Sequence, residues 1–134
     1  MTTGSAIRGR LNHPEEGTRM PKIERFESNA RMSQAVVCGD MIHLAGQVGE
    51  GPDVVAQAKS ALAEVDRLLA LTGGAKSSIL SVTVWLADMK DFAALNSVYD
   101  AWVDPEHKPA RACGEARLAT PDYLVEFLVV AAKV

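Results

Sequence analysis

The chain has 134 residues, enough for one domain around a single core. Its 48% hydrophobic and 23% charged residues are those of an ordinary globular protein. The net charge of −3, from 14 Lys and Arg against 17 Asp and Glu, comes without a basic block, which argues against nucleic acid as the main partner, and no apolar stretch is long enough to span a membrane.

Residues 1–19 are polar, aperiodic and lack the apolar core of a secretory signal. They are expected to form a flexible N-terminal extension, left by an upstream start, or else an arm packed on a neighbour. A single domain is expected over 20–134, with patterned sequence beginning at "PKIERF". Cys38 and Cys113 lack zinc-type spacing and, without an export signal, are expected to be reduced thiols in a cytoplasmic protein.

Two β-prone runs, Ala35–Cys38 and Met41–Ala45, flank Gly39-Asp40, a tight hairpin turn. Asp53 is a good N-cap, and Val54, Ala58, Ala61, Leu62, Val65, Leu68 and Leu69 recur at helical intervals. The spacing predicts a helix over 54–72, stopped by Gly73-Gly74. "ILSVTVWL" (79–86) is apolar on both faces, as a covered interior strand would be. A second helix begins at Asp88 or Lys90, with Phe92, Leu95, Tyr99 and Trp102 on one face, and "DPEHKP" breaks it. Strands over about 110–118 and 123–133 follow, separated by "ATPD".

This pattern predicts an α/β domain with one sheet and both helices on one face. Strands apolar on both faces then leave a greasy surface that a monomer would rarely expose, so an oligomer is expected.

Three features suggest chemistry. "PARACGEARL" puts Arg111, Cys113, Glu115 and Arg117 on one face and Ala110, Ala112, Gly114 and Ala116 on the other. Arginine is suited to a two-pronged grip on a carboxylate, and its charge would favour thiolate at Cys113. An edge strand with solvated ion pairs explains the same residues. Glu126, the lone charge in "LVEFLVVAA", shares a face with Leu124, Leu128 and Val130. It could be an ion-pair partner, or a carboxylate that orients or deprotonates water in an apolar cleft. Together, Arg111 and Glu126 would suit hydrolysis of a small 2-keto-acid-like compound. Asn96, mid-helix where Asn brings little, is either exposed or bonded to a ligand or loop. His43 alternates with apolar neighbours and is expected on a strand surface. There is no phosphate loop, metal-ligand spacing or nucleophile elbow in the sequence.

"PARACGEARL…LVEF", with fifteen positions from Arg111 to Glu126, resembles the C-terminal signature of the Rid/YjgF reactive-intermediate deaminases. "HLAGQVG" resembles that family's Ser-Gly-Gln segment, and "DFAALNSVYDAW" its second helix; the similarity covers about three-quarters of the chain, from Arg31 to Lys133. The resemblance implies a chorismate-mutase-like fold with an interior last strand. It also implies a homotrimer with sites in clefts between subunits. By the same resemblance, Arg111 holds the substrate carboxylate, Glu126 positions water, and Cys113 and the Gly46 backbone line the cleft, with Asn96 in support. The implied reaction hydrolyses enamines and imines, such as 2-aminoacrylate, to 2-oxo acids and ammonia, with no cofactor or metal. Met32 (in "NARMS") and Ala45 replace the family's substrate-contacting tyrosine and serine hydroxyls. Their loss leaves a non-catalytic small-carboxylate binder as an alternative. Ribonuclease or translation-inhibitor activity, attached to some relatives, fits poorly with the net charge.

Overall fold

The structure, a computed structural model, describes residues 20–134; the expected extension over 1–19 lies outside the described residues. α1 (Val54–Thr72) starts and stops where the sequence says. Asp53 accepts the Ala56 N–H at 2.9 Å, and Gly73 closes the helix in the left-handed region at φ 90°. The seven apolar residues of the predicted stripe are all buried. α2 (Phe92–Trp102) is preceded by a 3-10 turn, Met89–Asp91, whose Lys90 N–H is taken by Asp88.

Six strands form one mixed sheet: β1 (Ile23–Ser28), β2 (Ser33–Cys38), β3 (Met41–Leu44), β4 (Ile79–Leu86), β5 (Ala110–Glu115) and β6 (Val125–Ala132). Their spatial order is β1-β2-β3-β6-β4-β5. β4 and β5 run parallel, and α2 makes the crossover that a parallel pair requires. β6 lies between β3 and β4, antiparallel to both. It is therefore interior, as the family resemblance implies, and does not pair with its predecessor in sequence. The strands expected over 110–118 and 123–133 are shorter at their ends.

β1 was not expected from the sequence. Its residues IERFES alternate poorly, and only Phe26 reaches the core. The strand forms because β2 offers it a ladder, Ile23 opposite Cys38 through Ser28 opposite Ser33. Glu27 stands out of that ladder at φ 53°. Its carboxylate receives both terminal nitrogens of Arg67 on α1, at 2.7 and 2.9 Å.

Both helices pack on one face of the sheet, as expected. Ile42, Leu44, Val82, Val84, Leu86, Val125, Phe127 and Val129 point into the same core as Leu62, Leu68, Leu95 and Tyr99 of the helices. The opposite face carries Ile23, Met41, Trp85 and Leu128, each between 37% and 41% exposed, along with exposed His43. No helix among the described residues is long and apolar enough to cross a membrane.

Candidate functional site

Strand alternation decides where the chemistry-bearing side chains go. Arg111 and Cys113 pair with Val82 and Val84, which are fully covered by the helix layer. They therefore lie on the helix side of β5, an edge strand in this chain. Arg111 sits against α2, its guanidinium carbon 4.7 Å from the centre of the Tyr99 ring and 5.9 Å from that of Phe92. Among the described residues no carboxylate lies within salt-bridge range of it. The solvated ion-pair alternative therefore does not describe Arg111. Its Nη1 is buried without a hydrogen-bond partner, and so is Oδ1 of Asn96 on α2. Buried polar atoms are nearly always paired, so two orphans on adjoining elements point to a ligand. A cavity of about 530 Å³ adjoins Arg111 and is lined also by Tyr99, Asp100, Val103, Pro105, Lys108 and Pro109.

Glu126 lies on the other side of the sheet. It pairs with Trp85, while its neighbours Val125 and Phe127 point into the core. Gly46 is packed against it: a Cβ there would overlap the Glu126 carboxylate, so a larger residue would push the acid out of this position. Gln47 bridges to Phe127 through a reciprocal pair of backbone hydrogen bonds, 2.8 and 2.9 Å, and that bridge holds the Gly46 turn. Ala45 donates its N–H to the Gln34 carbonyl, and Met32 is exposed two residues before Gln34. Met32, Ala45, Gly46 and Glu126 thus share one end of the sheet.

The side chains expected to work together fall into two half-sites. One holds Arg111, Cys113 and Asn96; the other holds Glu126, Gly46, Ala45 and Met32. They occupy opposite faces, on strands two apart, about 10 Å by strand spacing alone. A single small molecule cannot touch Arg111 and Glu126 of the same chain.

Three further residues were not singled out from the sequence as site residues. Tyr99 and Phe92 contact Arg111, and their helical spacing from Asn96 was the available signal. Trp85 lies beside Glu126 and over Gly114, where an added Cβ would come 3.3 Å from the indole. This is the close packing the small-residue face of β5 foreshadows.

The expected thiolate at Cys113 is overturned. Burial pushes this thiol above its ordinary value of 9.0, and the charge of Arg111 only partly offsets it. With Cys38 replaced by Ser, alkylation of Cys113 by iodoacetamide at pH 7.5 should be slower than that of free cysteine. The rate should still be climbing above pH 9, because the thiolate population is still rising there. A plateau below pH 8 would refute the assignment. Among the described residues, no group of three or more His, Cys, Asp or Glu is placed to hold a metal ion.

Comparison with known proteins agrees with this fold. The family described as endoribonuclease L-PSP matches residues 22–133. A RutC family protein of Haemophilus influenzae is 41% identical over 112 residues, spanning 81% of this chain and 97% of the relative. The RutC family protein YoaB of Escherichia coli is 42% identical over 112 residues, spanning 82% and 97%. The crystal structure of a YjgF-family protein from Neisseria meningitidis superposes with a TM-score of 0.84 at 40% identity, covering 87% of this chain and 98% of that one. With the interior last strand and the signature from Arg111 to Glu126 both in place, the chain belongs to the YjgF/Rid family, the family described as endoribonuclease L-PSP.

Proposed function

We propose that this protein hydrolyses enamines and imines of small 2-oxo acids, releasing the 2-oxo acid and ammonia. The observation that carries the reading is the two buried atoms Arg111 Nη1 and Asn96 Oδ1, a donor and an acceptor each lacking a partner. A carboxylate would satisfy the first, and the N–H of an imine or enamine the second.

Because Glu126 lies on the opposite face, each complete site joins Arg111 of one copy to Glu126 of another. A homotrimer, as the family resemblance implies, supplies three such sites, and the apolar uncovered face is the surface it would bury. An enamine is first protonated at its terminal carbon to give the imine. Glu126 then takes a proton from water as the oxygen bonds to the imine carbon. That proton passes to the nitrogen to give the carbinolamine; its hydroxyl then gives up its proton, which reaches the nitrogen, as the C=O forms and the C–N bond breaks with its electron pair leaving on ammonia. Binding and orientation supply most of the acceleration. With two free thiols, the protein suits a reducing compartment such as the cytoplasm.

The absence of hydroxyls at Met32 and Ala45 favours a second reading, a trimer that binds small carboxylates without turning them over. A ribonuclease, as the family description has it, lacks support in the chain's net charge of −3. The test is ammonia release from imines generated in situ by an amino-acid oxidase, over side chains from alanine to leucine. Acceleration by wild type, lost in Arg111→Ala and in Glu126→Ala, is the expected result. A folded oligomer that accelerates none of the panel would leave only the binding reading.

A further inference from the structure

Arginines under a packed layer are usually held by carboxylates, which occupy the guanidinium fork and cancel its charge. Arg111 is held by rings instead. Tyr99 is only 6% exposed, and it is wedged between Arg111 and Trp102, whose ring centre lies 5.8 Å from its own at 49°. Trp102 is anchored in turn. Its Nε1 donates to both Asp66 oxygens, at 3.1 and 3.2 Å, and Lys76 Nζ lies 5.3 Å from the Trp102 ring centre. Phe92, 39% exposed at the start of α2, makes the second ring contact.

We infer that Tyr99 and Phe92 are positioning residues for Arg111, holding the guanidinium by ring contacts so that its in-plane N–H groups stay available to a substrate carboxylate. This rests on the proposed function and adds how the cation is kept fixed with no carboxylate among the described residues in salt-bridge range. A ring attracts the guanidinium through its face and leaves the edge N–H donors unused. Burial keeps the Tyr99 phenol protonated by raising it above its ordinary value of 10.0, with Arg111 opposing. The guanidinium carbon lies over the Tyr99 ring, so it is the ring face that meets the cation.

The test compares wild type, Tyr99→Leu, Phe92→Leu and Tyr99→Phe as assembled oligomers. Two readouts are taken, pyruvate binding by titration calorimetry and the steady-state kinetics of imine hydrolysis. Tyr99→Leu should weaken pyruvate binding and raise KM about tenfold, with kcat at saturation within about twofold. Phe92→Leu should do the same by about threefold, and Tyr99→Phe should restore wild-type values. A folded Tyr99→Leu with unchanged Kd and KM overturns the inference and leaves the proposed function standing. So does an equal loss in Tyr99→Phe, which would assign the effect to the hydroxyl. Should Tyr99→Leu not fold, an unchanged Kd in Phe92→Leu overturns the inference. Wild type that neither binds pyruvate nor hydrolyses imines overturns both.

Discussion

Mixed oligomers of Arg111→Ala and Glu126→Ala subunits should regain imine hydrolysis that neither variant shows alone. On the proposed function, removing Arg111 strands the substrate carboxylate without its cation, a loss of about 2–5 kcal/mol, so kcat/KM should fall roughly 30- to 5,000-fold. On the same proposal, removing Glu126 takes away the base that activates water, typically worth about 10²- to 10⁴-fold. The two side chains lie on opposite faces of one chain's sheet. A site that uses both must draw them from different copies. Unfolding the variants together and refolding them as a one-to-one mixture would then give intact Arg111 and intact Glu126 in about a quarter of the sites of a cyclic assembly. Recovery approaching a quarter of the wild-type rate is the expected result. No recovery, in oligomers shown by mass to be mixed, would sink the shared site.

Replacing Phe127 should have the largest effect on stability. This side chain is fully buried in interior strand β6, opposite Val84 and locked to the Gly46 turn by the Gln47 bridge. Phe127→Ala removes the transfer free energy of a ring and leaves a cavity between the sheet and the helices. The expected loss is about 3–5 kcal/mol, a large share of a domain's net stability. Its neighbour Leu128, 41% exposed on the uncovered face, makes the contrast. Leu128→Glu should keep the fold and shift the protein toward monomer. Urea denaturation at fixed subunit concentration, beside light-scattering mass, separates the two. Phe127→Ala with an unchanged urea midpoint would contradict the packing described. A Leu128→Glu variant that stays fully assembled would show that the uncovered face is not the interface.

How much of this was legible depends on how local each signal is. α1 was readable at both ends because its stops are local: Asp53 caps a nearby N–H, and Gly73 adopts a left-handed φ that other residues resist. The apolar runs of β4 and β6 were readable because burial on the helix face demands Val, Leu and Phe at alternate positions. β1 was not, because IERFES has little apolar alternation and owes its strand to the β2 ladder. The residues of the candidate site were legible individually, through the likeness that runs from Arg111 to Glu126.

Their arrangement was decided by tertiary structure alone. Alternation within a strand sorts side chains into two sets, but it does not say which set meets the helices. The faces of β5 and β6 became comparable only once β4 was seen to lie between them. The same applies to Cys113, where sequence supplied the neighbouring charge and burial outweighed its effect. What the sequence determined by itself was the identity of the elements and of the reactive groups, because caps, periods and signature spacing are local. Only the fold decided that the acid and the cation face away from each other, because strand order and facing depend on contacts between residues far apart in the chain.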